Sequence, residues 1–367
     1  WLAEAIQEQL GITEIREGET KETKSSSSSN QFVVIYGDSG TGKSAFFSRI
    51  LDSNFCKEKD DGVWKSLHDT VLAKHICRVQ DDDSLDPVQW VRSLAGQIFI
   101  VMAKAGQMST CLSICGHRDK DAFADWIYNE DSVRKILGEW ILPVLNTIDD
   151  ASELGGKCLI MIDSLDEALT LAVLHGKSKD TIVSYLLEFR TKWPSWIRFL
   201  ATSRPDVITK EKLNPLTGAS IDVRSSKDEK ITEFCQQNLN DVREYVKLKL
   251  EPFRDWNIGD NPRLPSDVAE NVSSHMDDES KGSLRVTSQS FRLSHEETIS
   301  KICNKANGIF MYAREVLSQL EENPTLDLEG LPKGLAELYM KRYETTFPDD
   351  DALDQFEEHT APMLAML

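Results

Sequence analysis

The sequence has no long uncharged apolar run, no secretory leader and no dense stretch of lysine and arginine. The first two absences leave no candidate membrane helix and point to a reducing, cytoplasmic setting. The third matters because 42 basic residues face 61 acidic ones, a net charge of −19. Such an excess repels polyanions and argues against nucleic-acid or anionic-membrane binding by this segment. A disulfide framework is missing too, because the seven cysteines are odd in number and scattered. Cys111, Cys115 and His117 form a C-x-x-x-C-x-H string without a fourth ligand, which reads as buried or loop thiols and not as zinc. Internal repeats are absent, and Asn271-Val272-Ser273 fits a glycosylation acceptor that stays inert without secretion.

What is present is ordinary for a globular chain of 367 residues: 40% hydrophobic and 28% charged, enough for two or three domains. A start at Trp1 and an apolar end (Met363, Leu364, Met366, Leu367) read as a piece of a longer protein.

The most informative stretch is Gly37-Asp38-Ser39-Gly40-Thr41-Gly42-Lys43-Ser44, a complete G-x-x-x-x-G-K-[ST] phosphate loop. Phe32 to Tyr36 before it reads as a buried strand. Ala45, Phe46, Phe47, Ile50 and Leu51 after it recur at helical spacing. Strand, glycine turn and helix are what the loop requires. Its N–H groups would cradle phosphate, with the helix start adding donors and the positive end of its dipole. The expected cradle runs from Gly37 to Ala45. Lys43 is placed on the β- and γ-phosphates and Ser44 on Mg²⁺.

Further strands are expected at Val71–Val79, Cys158–Ile162, Ile197–Thr202 and Ala219–Val223. Asp86-Pro87 marks a helix start, with Val91, Leu94, Ala95, Ile98 and Met102 on one face. Residues 106–135 look irregular, as in an insertion; 133–145 resumes helical periodicity, and Asp180 is expected to cap a helix through Leu186. Beyond residue 226 only helices are expected, one through Val242, Val246 and Leu250. Another follows the capping box Ser294–Glu297, Asn307-Gly308 ends it, and a third begins at Ile309. The segment 257–290 reads as a polar loop.

A triphosphate loop needs a metal-holding partner. Ile160-Met161-Ile162-Asp163-Ser164-Leu165-Asp166-Glu167 places Asp163 at the carboxyl end of a central strand, where open α/β sheets bind ligands. Asp163 would hold Mg²⁺. Glu167, and next Asp166, would polarise the attacking water. On the following strand, Thr202-Ser203-Arg204-Pro205 offers Arg204 as a cation reaching the γ-phosphate.

These motifs, in this order, resemble the NACHT group of STAND signal-transduction ATPases. His75-Ile76-Cys77, the run Asp86 to Ala95 and the run Lys305 to Arg314 are similar to segments of that group. The resemblance implies a doubly wound parallel P-loop sheet, then a helical domain, then the start of a winged-helix-like region. It implies a nucleotide switch, closed with ADP and self-associating with ATP, that clusters effector and sensor regions outside the segment. Lys43, Ser44, Asp163 and Arg204 match the group's phosphate, metal and sensor positions. Relatives often carry glycine where Ser164 stands, a change expected to be sterically mild. Gly308-Ile309-Phe310 occupies the place of an adenine-side Gly-x-Pro, with Phe310 either a base-stacking ring or core.

The expected organisation is 1–30 flank and linker, 31–225 nucleotide-binding domain, 226–322 helical domain and 323–367 truncated winged-helix-like start. A GTPase reading fails on Asp163-Ser164-Leu165-Asp166 and on Asn304-Lys305-Ala306-Asn307, which lacks the closing aspartate of a guanine reader. The competing reading is a nucleotide-binding scaffold with negligible hydrolysis.

Overall fold

Two strands of this chain are buried at every position, which only a sheet covered on both faces accommodates. They are β1 (Phe32–Tyr36) and β3 (Leu159–Asp163). With β2 (Val71–Ile76), β4 (Arg198–Ser203) and β5 (Ala219–Asp222) they form a parallel sheet in the order β2-β3-β4-β1-β5. The doubly wound α/β expectation is met. The structure, a computed structural model, describes residues 1–12, 30–58, 62–116, 119–169, 180–223, 233–253, 294–323 and 326–346. The chain divides into two compact units: Trp1–Asp38 with Gly42–Arg224, and Ser39–Thr41 with Ser225–Leu367.

Helices supply the layers of the first unit. The helix Pro87–Lys104 starts as expected, with the Asp86 carboxylate accepting the Val88 N–H at 2.9 Å and Pro87 in the first turn. It buries Trp90, Val91, Leu94, Ala95, Ile98 and Met102. Its Gln97 side chain also takes the Lys74 N–H (3.0 Å) and donates to the Lys74 carbonyl (2.9 Å). One amide thus occupies both backbone groups of Lys74 on the edge strand β2, which protects that edge from pairing with another chain. At the amino end of the chain, the helix Leu2–Leu10 buries Ala3, Ile6 and Leu10. Arg198, the first residue of β4, holds its Leu10 carbonyl at 2.8 Å.

Three local expectations are corrected and one is refined. The second strand ends at Ile76, because Arg78 and Asp81 pair in a tight turn. Residues 106–135 are not an irregular insertion: helices Met108–Cys115 and Lys120–Asn129 place Cys111, Phe123 and Ile127 in the core. Phe123 packs 4.6 Å from Trp140. The stretch from Val133 to Leu145 is helical but passes through a π-helical segment, Ile136–Ile141, ahead of Pro143. Proline has no N–H for the regular ladder, which favours such a shift. Thr181, not Asp180, caps the helix Ile182–Glu188, in a reciprocal box with Ser184. A hydroxyl one residue nearer the first turn wins the cap.

The described part of the second unit is helical, as expected: Glu233–Leu250, His295–Ala306, Phe310–Glu322 and Leu335–Thr346. The Ser294–Glu297 capping box forms, and Asn307 (φ 46°) with Gly308 (φ 83°) ends that helix in the left-handed region. Phe310 is half-buried, its ring edge-on to Tyr245 at 5.7 Å. Residues 257–290, His117, the side chain of Cys115 and residues 347–367 lie outside the described residues. Among the described residues no group of histidine, cysteine and acidic side chains forms a metal cluster. No helix among them is long and apolar enough to cross a membrane.

Candidate nucleotide-binding site

Parallel strands deliver their carboxyl ends to one edge, and there the sequence motifs meet. The register sets Tyr36 beside Ser203, Ile35 beside Thr202 and Ile162 beside Ala201. Strand β4 therefore lies between the strand that feeds the phosphate loop and the strand that ends in Asp163.

The loop leaves β1 with the Gly37 N–H donating to the Ser203 carbonyl at 3.2 Å. Gly40 (φ 79°) and Gly42 (φ 94°) lie in the left-handed region, where a side chain would be strained. The helix Lys43–Leu51 follows, with Gly42 at its cap and no side chain satisfying its first-turn donors. Such a start is an anion site in waiting. Lys43 is held over the loop by its Nζ, which donates to the carbonyls of Gly37 (2.6 Å) and Asp38 (2.9 Å). Thr41 is buried, Asp38 and Ser39 are half-buried, and Ser44 and Ala45 are exposed on the first helical turn.

The facing wall is acidic. Asp163 is 3% exposed, and its Oδ1 accepts the Thr202 hydroxyl at 2.5 Å. The same hydroxyl accepts the Ser164 N–H at 2.8 Å, and the Thr202 carbonyl accepts the Leu165 N–H at 2.9 Å. Thr202 thus fixes the turn that carries the acidic residues. Ser164 itself sits at φ 57°. Its backbone is therefore in the region that favours glycine, and serine there is not the mild change the sequence suggested.

Asp166 and Arg204 are partners. The Asp166 carboxylate accepts the Arg204 backbone N–H at 3.1 Å, and Arg204 Nε lies 3.4 Å from its other oxygen. Glu167 has turned to β2's end, its Oε2 accepting the Val79 N–H at 2.5 Å.

Burial dominates the titration of Lys43, Asp166 and Glu167. It pushes the Lys43 ammonium below its usual range, opposed mainly by the Asp166 charge. It pushes the Asp166 carboxyl up, against the Arg204 N–H and guanidinium. Glu167 is likewise raised by burial, against the Val79 N–H, with the Asp166 charge adding to the rise. Desolvation favours the neutral form of each group, whatever its sign.

The residues fit a triphosphate and a hard cation. Two left-handed glycines, an open helix start and a half-buried lysine make an anion cradle. A buried carboxylate and a first-turn serine offer the oxygen ligands Mg²⁺ prefers. Sequence reasoning missed Thr202 and the Val79 amide. The first is a hydroxyl whose place follows from the strand order, and the second is a backbone group; neither carries a sequence signal.

A family model described as Nephrocystin 3, N-terminal, matches residues 14–204, just over half of the chain. No curated protein matches it. Among solved structures, the Walker-type ATPase PABY2304 of Pyrococcus abyssi is 12% identical, with 86% of this chain and 71% of that one covered and a TM-score of 0.34. PCH-2 of C. elegans is 12% identical, with coverages of 89% and 64% and a TM-score of 0.32. The Aeropyrum pernix ORC2 protein, in ADPNP–ADP complexes, is 13% identical, with coverages of 86% and 80% and a TM-score of 0.28. Scores this low carry no weight for the site.

Proposed function

The chain belongs to the Nephrocystin 3, N-terminal, family, and we propose that it is an ATP-binding, slowly hydrolysing switch module of the NACHT type. The observation that supports this best is the meeting, at one sheet edge, of the Gly37–Ser44 loop with Asp163. Gly37 to Ala45 would bind the phosphates of ATP or ADP through backbone donors, and Lys43 would offset the charge that develops on the γ-phosphoryl oxygens. Ser44 and Asp163 would hold Mg²⁺, whose charge neutralises the phosphate tail when bound. Glu167, with Asp166 second, would polarise the attacking water, and Arg204 would register the γ-phosphate by exchanging part of its pairing with Asp166. ADP and ATP would then favour different states, the ATP state self-associating in the cytoplasm and clustering effector and sensor regions outside this segment.

A second reading is supported by one specific observation. Both candidate base carboxylates accept hydrogen bonds from the protein's own amides. A scaffold that binds nucleotide and scarcely hydrolyses it would look the same.

Mass by size exclusion with light scattering, in ADP and then in a non-hydrolysable ATP analogue, tests the switch. An increase in mass only with the analogue is expected; equal mass in both contradicts it. Phosphate release from the parent against Glu167→Gln separates slow turnover from none.

A further inference from the structure

Glu167 does not meet the Val79 amide by accident of a loose loop. The turn that presents this amide is stapled by one hydroxyl. Ser84 Oγ accepts the Arg78 N–H at 2.8 Å and stands within donor distance of the Asp81 (2.7 Å) and Arg78 (3.1 Å) carbonyls. The Ser84 N–H donates to the Asp81 carbonyl at 2.9 Å, and the Asp81 N–H to the Arg78 carbonyl at 3.0 Å. From the strand side, His75 Nε2 bonds the Ser84 carbonyl at 2.7 Å. The Cys77 N–H is tied to the Asp163 carbonyl at 3.1 Å. Val79 lies between Cys77, fixed to the metal-side strand, and the stapled turn.

We propose that Ser84 is a positioning residue for hydrolysis: its hydroxyl holds the turn from Arg78 to Ser84 so that the Val79 N–H keeps the Glu167 carboxylate turned from the attacking water. The inference rests on the reading of Glu167 as the group that polarises that water. A carboxylate that accepts a short amide hydrogen bond is a weaker base, since the bond favours its ionised form and occupies a lone pair. Asp166 cannot readily substitute while it serves the Arg204 N–H and guanidinium. Loosening the turn should therefore speed turnover without altering how tightly nucleotide is held, because no residue from Val79 to Ser84 belongs to the phosphate cradle. The device is set at the end of β2, with two strands between it and the strand that feeds the loop, and anything that docks on the turn would gain control of the reaction rate.

The test uses Ser84→Ala and Ser84→Thr in the full chain, with two readouts. The first is amide hydrogen exchange at Val79, which needs no nucleotide. Ser84→Ala should exchange there at least tenfold faster than the parent, and Ser84→Thr, which keeps the hydroxyl, should stay near the parent. The second is steady-state phosphate release beside the affinity for a fluorescent ATP analogue. Ser84→Ala should turn over several-fold faster with affinity within twofold of the parent, and the gain should vanish when Glu167→Gln is added. Parent-like exchange at Val79 in Ser84→Ala overturns the proposal. So does unchanged or slower turnover at parent affinity, and so does a gain that survives in Glu167→Gln. A parent that binds no nucleotide would instead remove the proposed function, while the exchange result would still decide whether Ser84 holds the turn.

Discussion

Thr202 donates its hydroxyl proton to Asp163 across 2.5 Å, and both groups are buried. The bond joins β4, beside the strand that feeds the phosphate loop, to β3, which ends in Asp163. It also leaves the hydroxyl's lone pairs for the Ser164 N–H. Replacing Thr202 with valine keeps the shape and removes both bonds. The buried carboxylate and amide each lose a partner, so Thr202→Val should cost about 1–3 kcal/mol of stability. Chemical denaturation checks the loss. Mg²⁺-dependent nucleotide affinity should fall with it, because Asp163 is no longer oriented.

Ser164 takes a left-handed backbone at φ 57°. Glycine adopts that conformation without the steric cost a side chain carries, though it also adds freedom to the unfolded chain. Ser164→Gly should be neutral to stabilising by about 1 kcal/mol, where most glycine substitutions destabilise. A clear fall in melting temperature would contradict the assigned conformation.

Arg204 supplies Asp166 with a backbone N–H and a guanidinium. Arg204→Ala removes only the second and leaves a largely buried carboxylate under-compensated. The pair is partly exposed, so the loss should be about 1–2 kcal/mol, below that of a fully buried pair. The Asp166 carboxyl should rise further in pKa, which carboxyl-carbon NMR would register directly.

Burial raises the Glu167 carboxyl above its usual range in the folded protein. A raised acid binds more protons folded than unfolded. Its contribution is therefore present below the ordinary carboxylate pKa and is lost as pH rises through the folded value. The stability of the parent minus that of Glu167→Gln should accordingly decline from pH 4 towards neutral. Melting curves of the two proteins over that range provide the check, and a difference that grows with pH would contradict the buried setting.

Much of this candidate site was legible as sequence because its motifs are local. The phosphate loop occupies eight consecutive positions between an apolar strand and an amphipathic helix, and each part carries its own pattern. Asp163 was placed by the same reasoning, as the end of a continuously apolar strand. The strand order was not legible: nothing in the run Arg198 to Ser203 says that it inserts between β1 and β3. That insertion is what makes Thr202 part of the site. The helices in 106–135 were missed because each is short and glycines flank the first, so their core face shows only once Phe123 and Ile127 meet Trp140 and its neighbours. Glu167 was recognised as chemistry-bearing, but its partner is a backbone amide 88 residues away in sequence. No side-chain pattern encodes that.

The loop from Gly37 to Ala45 and Asp163 are proposed to hold the phosphate tail of ATP with Mg²⁺. Calorimetric titration of ATP with Mg²⁺ into the parent, Lys43→Ala and Asp163→Ala, each verified as folded by circular dichroism, tests it most directly. Saturable binding to the parent and at least a tenfold weaker affinity in both variants is the predicted result. Equal affinity across all three proteins would contradict it.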